Sequence, residues 1–387
     1  MTERVTVTPR GAARLRGGHP WVYRSDIDSE PDSGAGIVRV TDARGRVMGR
    51  ALWSPASEIR LRLLTREDED TDAAWWRSRV AAAAERRLAL DIDATAYRVV
   101  HAEGDGLPSL IVDRYGDFAV VQLLSAGLES VRDAVLSAIQ DVLEPKGILL
   151  RNDASVRKHE GLPLEVVEAA GTVPEAIEVR EGRVTYTAAP WTGQKTGAFL
   201  DQRTNHLLMG ELARGNALDV FTYHGLFALH MARGASSVRA IDSSAPALEV
   251  ARGNAGLNDC GNVEWLEANA FDVLRELQSS GEQFETIVLD PPAFAKRKDA
   301  LPRALAGYKE INLRAMRLLA PGGLLLTCSC SFHVSRALFL EMLQAAAADS
   351  GRRIVLERLV GQSADHPQVL TIPETGYLKG VLLRAAD

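Results

Sequence analysis

From Asn216 onward the chain alternates short apolar runs with longer amphipathic stretches, and this alternation restricts the fold more than any other feature. The runs Ala217–Val220, Ser237–Ile241, Val263–Glu267, Thr286–Leu289, Gly323–Thr327, Arg353–Val360 and Tyr377–Arg384 read as seven strands. Strands separated by helix-length segments are expected to pair in parallel through crossover connections. In an open sheet of that kind ligands bind beyond the carboxyl ends of the strands, so the residues that end each run carry the functional weight.

The residues before Asn216 read differently. Between Val5 and about Leu64, runs such as Ile37–Thr41, Val47–Ala51 and Ile59–Leu63 alternate apolar and polar residues, the signature of half-buried strands in a small β-barrel. The acidic run Glu67–Asp70 reads as a solvated linker, and Trp75–Leu90 as an amphipathic helix that opens a second unit. There the turn formers of Glu103–Pro108 precede a strand pair, Leu110–Val112 and Phe118–Leu124, and a helix from about Leu128 to Leu143. The expected domains are therefore 1–66, 74–184 and 186–387. No apolar signal follows Met1 and no run reaches the length of a membrane span, so a cytoplasmic location and no membrane partner are expected. The three cysteines, Cys260, Cys328 and Cys330, lack a disulfide framework and are expected to be free thiols. The net charge of -6 hides an asymmetry: residues 1–62 hold eleven arginines against seven carboxylates, net +4, which leaves -10 on the remainder. A local basic module is thus available to a nucleic acid in an acidic protein.

The strand ends supply the candidate chemistry. After the first, Leu218–Phe227 turns with a single glycine, Gly225, which is a weak dinucleotide fingerprint. After the second, Asp242 lies roughly twenty residues on, where a carboxylate can accept ribose hydroxyl protons; it fits equally well as a helix N-cap. After the third, Asn269 and Phe271 offer an amide and an aromatic face to an adenine ring, although alone they make an ordinary turn. After the fourth, Asp290-Pro291-Pro292 holds a carboxylate on rigid, extended backbone beside a planar substrate. After the fifth come Cys328 and Cys330, whose side chains would share a face if the strand persists to Cys330. Recruiting His333 would place three ligands in six residues, which matches no zinc spacing, so no metal is expected. A nucleophilic thiol on the same rim as Asp290 is the better reading.

With these stretches assembled, the chain resembles the RlmI-like large-subunit ribosomal RNA cytosine-C5 methyltransferases over nearly its whole length. The matching segments are His19–Tyr23, Glu103–Pro108, Val112–Asp117, Arg151–Asp153, Glu160–Leu162, Gln194–Arg203, Asp290–Lys296, Gly307–Asn312 and Ser329–Ser331. The resemblance implies an α/β class: a Rossmann-like class I methyltransferase domain with a seven-stranded, mainly parallel sheet whose seventh strand is reversed. It would be preceded by a small β-barrel PUA domain for RNA and a central α+β EEHEAD-type domain. It implies S-adenosyl-L-methionine as cofactor, ribosomal RNA of the large subunit as partner and a homodimer as assembly. Lys195, Thr196, Phe199, Asp201 and Arg203 match the segment that closes over the cofactor. Phe221, Tyr223 and Gly225 match the first turn, Asp242 the ribose ligand, and Asp219, Asn269, Ala270 and Asp290 complete the cofactor set. Asn269 stands where many relatives have Asp, Leu226 where they often have Gly and His224 where they often have Thr.

Cytosine C5 is too weak a nucleophile to take a methyl group unaided, so covalent help is required. Cys330 matches the family nucleophile, and Asp290 would hydrogen-bond the ring near N3. A base in ribosomal RNA must be unstacked first, and Phe294 could stack on it or serve the core. The rival readings are methyl transfer to another RNA base or amino group, transfer to a small molecule, and an RNA-binding assembly factor without turnover.

Overall fold

The computed structural model describes residues 3–32, 34–295 and 297–386, with the side chain of Lys298 excepted; Lys296 of the Asp290–Lys296 segment lies outside the described residues. The chain divides into two compact units: residues 1–179, 188–200 and 364–375 make the first, and residues 180–187, 201–363 and 376–387 the second.

In the first unit, six strands within Arg4–Thr65 form one sheet, in which Arg4–Val7 runs parallel to Gly36–Asp42. Its buried face is built from alternate residues, among them Val5, Val7, Val38, Val40 and Leu61. A five-stranded sheet follows, ordered Glu165–Gly171, Gly147–Asn152, Phe118–Leu123, Leu110–Tyr115, Ala96–His101. The helix Ala73–Leu88 contributes Trp75 and Trp76 to its core, and Asp72 caps that helix by accepting from the Trp75 amide. The helix expected from about Leu128 to Leu143 is two, Ala126–Glu129 and Arg132–Leu143, separated at Ser130 and Val131.

Several motifs of this unit are scaffolding. Asp105 accepts from Arg87 Nη1 and Nη2 at 2.6 Å each and from the His101 amide, while Gly106 turns with a φ of +70°. Asp113 takes both arms of Arg98 at 2.8 Å, and Glu160 pairs with Arg62 at 2.7 Å. Each is a buried carboxylate held by an arginine fork or a charge-assisted hydrogen bond, the condition under which such a charge is tolerated inside a protein.

In the second unit the strands are β1 (Asn216–Val220), β2 (Ser237–Asp242), β3 (Val263–Glu267), β4 (Phe284–Leu289), β5 (Leu319–Ser329), β6 (Ile354–Gly361) and β7 (Lys379–Ala385). Their spatial order is β3-β2-β1-β4-β5-β7-β6; β7 runs antiparallel to both β5 and β6, and the other pairs are parallel. The helices are α1 (Arg203–Leu212), α2 (Leu226–Ala232), α3 (Ala245–Leu257), α4 (Ala270–Ser280), α5 (Leu301–Leu318) and α6 (Arg336–Ser350). Ser244, Asn269 and Ser335 cap α3, α4 and α6 through their side chains.

The central strands are apolar on both faces, as a sheet covered on both sides requires. Leu218, Val220, Ile287, Leu289 and Leu325 meet the core of α4, α5 and α6, whereas Ala217, Val288, Leu324, Leu326 and Cys328 meet that of α1 and α2. β5 begins earlier than its apolar run suggests, because a bulge opposite Phe284 and Thr286 absorbs Ala320–Gly323. Among the described residues, no helix is long and apolar enough to cross a membrane.

Candidate active site

The second unit gathers its polar residues at the carboxyl rim of the sheet. β1 ends at Val220, and the chain then turns through Phe221, Tyr223 and Gly225 with φ values of +70°, +51° and +85°. Two of these three left-handed positions are held by residues with a Cβ, at a cost of roughly 1–2 kcal/mol each. The turn therefore has the backbone of a glycine loop with little of its glycine, which explains why the fingerprint reads as weak. Backbone bonds hold it: the Phe221 and Thr222 amides both donate to the Ile241 carbonyl at 2.9 Å. Gly225 is the position that cannot change, since a Cβ there would meet ring carbons of Trp265 at 2.6 and 3.0 Å.

Asp242 at the end of β2 accepts from the Tyr223 amide through one carboxylate oxygen and from the Ser244 amide through the other, both at 2.9 Å. The cap of α3 is Ser244, so Asp242 is not that cap; it ties the first turn to the second strand end. Tyr223 stacks on His224 with ring centroids 3.6 Å apart, and burial pushes the His224 imidazole down to about 4. Asn269 spends its side-chain oxygen on the Phe271 amide at 2.9 Å, and Ala270 behind it is buried.

Asp219 is fully buried inside β1. One carboxylate oxygen accepts from Thr222 Oγ1 at 2.5 Å and from the Ala228 amide at 3.0 Å, while Oδ1 has no hydrogen-bond partner among the described residues. Burial pushes its pKa up to about 7, with the charge of Asp290 acting in the same direction.

Asp290 follows β4 directly, and Leu289 is in register with Thr327 of β5. The Asp290 and Cys328 strand ends are therefore neighbours. β5 stops at Ser329, so the strand does not persist to Cys330. Even so, Cys330 packs against the same apolar cluster as Cys328. The two thiols differ in access: Cys328 is 0% exposed, and burial together with Asp290 raises its pKa well above the usual thiol value, whereas Cys330 is half-buried.

The turn carrying Cys330 is fixed on both sides. Ser331 Oγ accepts from the Ala295 amide at 3.2 Å and lies 2.9 Å from the Tyr308 hydroxyl, to which Ser329 Oγ donates at 3.0 Å. From β7, the Lys379 ammonium donates to the Ser331 and Tyr377 carbonyls at 2.7 Å each. Phe294 lies 4.6 Å from the Tyr308 ring and 6.3 Å from Phe221, an aromatic wall partly open at the rim.

The segment expected to close over the cofactor is divided between the units. Asp201 and Arg203 are buried in the second, where Asp201 accepts from the Tyr377 hydroxyl at 2.6 Å. Lys195, Thr196 and Phe199 belong to the first. Thr196 donates to Asp113 at 2.6 Å and lies 3.0 Å from the Tyr115 hydroxyl, and Lys195 sits over the Phe199 ring at 4.4 Å. Sequence reasoning missed Lys379, Tyr308 and Ser331 as a set, because only the register of β5 against β7 and the packing of α5 bring them together. Among the described residues, no group of three or more His, Cys, Asp or Glu could hold a metal ion.

The strand order with β7 inserted antiparallel, and a glycine-poor turn joined to a carboxylate at the next strand end, define a class I methyltransferase domain. Residues 152–384 match the model of the S-adenosylmethionine-dependent methyltransferases, and residues 5–66 match the PUA-like domain. The chain is 39% identical over 396 residues to Ribosomal RNA large subunit methyltransferase I of Shewanella amazonensis, covering 99% of this chain and 100% of that one. It is 40% identical over 380 residues to the protein of the same name from Tolumonas auensis, covering 95% of each. The chain belongs to this family of S-adenosylmethionine-dependent methyltransferases, and S-adenosylmethionine is its cofactor. The same fold occurs in an S-adenosylmethionine-dependent methyltransferase of Streptococcus mutans, with a TM-score of 0.83 at 18% identity over 99% of this chain and 100% of that one. A further methyltransferase, solved in complex with SAH, has a TM-score of 0.85 at 18% identity with the same coverage.

The residues present fit that cofactor. A carboxylate closes the second strand end and is tied to the first turn, and the buried Oδ1 of Asp219 has a free acceptor below that turn.

Proposed function

We propose that the protein methylates C5 of a cytosine in large-subunit ribosomal RNA through a covalent adduct on Cys330. The observation that carries this reading is the contrast at the end of β5: Cys328 is sealed, while Cys330 is reachable and sits on the strand end neighbouring Asp290. The names of the relatives support the substrate class.

In this reading Phe221, Tyr223 and Gly225 shape the cofactor turn, Asp242 accepts from the ribose, and Asn269 and Ala270 border the adenine. Asp219, Lys195, Thr196, Phe199, Asp201, Arg203 and Asp290 complete the cofactor set. Bound S-adenosylmethionine supplies a methyl group on a sulfonium sulfur, which keeps the bonding pair when the methyl departs. The Cys330 thiolate forms a bond to C6, and the C5–C6 π pair becomes the nucleophile at C5. Asp290 hydrogen-bonds the ring near N3 and steadies the charge that develops there. After methylation a base takes the C5 proton, its bonding pair restores the double bond, and Cys330 leaves as thiolate.

The three-domain division 1–66, 74–184 and 186–387, a cytoplasmic location and a homodimer belong to the same proposal. Light scattering on the purified protein tests the dimer. The function is tested by transfer of radiolabelled methyl to protein-free large-subunit ribosomal RNA, followed by nuclease digestion. Label in 5-methylcytosine that is abolished by Cys330→Ser and retained by Cys328→Ser is the expected outcome. Label on another base, or full activity in Cys330→Ser, refutes the covalent cytosine mechanism.

A further inference from the structure

We propose that Lys379 is the positioning residue for Cys330: its ammonium group, anchored on the Ser331 and Tyr377 carbonyls, keeps the neighbouring thiol as a thiolate ready to attack. This inference rests on Cys330 being the nucleophile.

The geometry begins with strand register. Lys379 opens β7 opposite Ser329, the last residue of β5, so its side chain emerges where β5 gives way to the Cys330 turn. Lys379 is 6% exposed, an unusual setting for a lysine. Two of its three N–H groups are spent on carbonyls, that of the residue after Cys330 and that of Tyr377. Those bonds fix where the charge sits. A structural role alone would be met by a neutral donor; a cation beside a thiol does something more, because an opposite charge within a few ångströms favours the ionised sulfur.

The surrounding charges divide: the Asp290 carboxylate on the neighbouring strand end, which raises the Cys328 thiol, opposes ionisation of Cys330, and the nearby cations act against it. The bond to the carbonyl of Ser331, the residue after Cys330, and the register of Lys379 with Ser329 put the ammonium at the Cys330 turn; burial pulls Lys379 down to about 8, while the charge of Cys330 acts to hold it up. Arg336, which opens α6, adds a second positive charge that acts on Lys379. From α5 comes Tyr308, whose hydroxyl is raised by burial and by Cys330 and stays neutral. On β5 the Cys328 thiol is raised by burial and by Asp290, Cys330 and Asp201, so it adds no charge at neutral pH. The proton lost by Cys330 passes to solvent on the half-exposed side of the turn, and Lys379 remains an ammonium while the thiolate forms.

The test reads the thiol directly and needs no methyl transfer. Full-length protein is alkylated with iodoacetamide between pH 5.5 and 9.5, and each cysteine is followed by peptide mass spectrometry. In the wild type, Cys330 is expected to titrate below the ordinary cysteine value of about 8.5. Lys379→Met is expected to move that midpoint up by about one pH unit or more, slowing alkylation near pH 7 about tenfold, and Lys379→Arg to restore it. Cys260, remote on the α3 side, should keep its profile in every variant and so reports an intact fold. A wild-type midpoint at or above about 8.5 overturns the proposal even if Lys379→Met does not fold, as does an unchanged midpoint in a folded Lys379→Met. A wrong nucleophile assignment shows elsewhere, as methyl transfer retained by Cys330→Ser, and leaves the alkylation profiles untouched.

Discussion

Asp219, at the end of β1, titrates far from the ordinary carboxylate range. Asp219 keeps its proton up to about pH 7 when folded, against 3.8 when exposed, mainly because burial disfavours the charge. The folded chain therefore binds the extra proton across that window. The stabilising contribution is complete below about 3.8, declines as pH rises, and is gone above about 7. Asp219→Asn, which keeps an acceptor for Thr222 and Ala228 but cannot ionise, should lose that slope. Urea midpoints at pH 5 and pH 8 check it: the wild type should fall between the two by more than the variant, and equal falls would show that Asp219 is ionised throughout. Single residues also separate the two thiols at the end of β5. Spacing alone could not rank Cys328 against Cys330, and the resemblance alone favoured Cys330; in the structure both pack on one apolar cluster and burial separates them.

At the scale of elements, the turn between β1 and α2 is built against backbone preference. Gly225→Ala would combine a strained φ with a clash on Trp265, so a loss of about 1–2 kcal/mol in stability and weaker binding of S-adenosylmethionine are expected. Calorimetric titration and thermal melting measure both, with Gly261→Ala, where a Cβ meets nothing within 4 Å, as the neutral comparison. The central strands of this sheet were legible because buried parallel strands are continuous apolar runs bounded by turn formers. The early start of β5 was not, since Pro321-Gly322-Gly323 reads as a stop and only the bulge beside Phe284 carries it into the ladder. The break at Ser130 and Val131 was not legible, since neither residue is a glycine or proline that would mark a stop. At the site, the residues at strand ends could be named from position. The left-handed state of Phe221 and Tyr223 could not, because neither residue type advertises it, and the neighbourhood of Lys379 depends on a pairing between distant segments.

For the whole molecule, the basic excess of residues 1–62 is smaller at the surface than in the sequence. Arg50, Arg60 and Arg62 are buried and pair with Asp68, Glu30 and Glu160, and Arg10 and Arg46 pair with Asp26 and Asp42. Arg4, Arg16, Arg24 and Arg44 are exposed, and the last three are taken as candidate partners for RNA phosphates. Replacing these three with Gln should flatten the dependence of RNA affinity on salt, by roughly 0.7 to 0.9 in log–log slope for each phosphate that is no longer neutralised. Filter binding across a salt series measures it, and an unchanged slope would move the RNA handle elsewhere.

The insertion of β7 between β5 and β6 also orders events in time. During synthesis Cys330 leaves the ribosome well before Lys379, and until β7 follows, the edge of β5 that it will cover stays open and the thiol has no cation beside it. On the proposed roles of Cys330 and Lys379, a nascent chain carries its nucleophile in an unarmed state. A product of stalled translation that stops between the two residues would on that reading lack the cation, and its open strand edge would be exposed to wrong pairing.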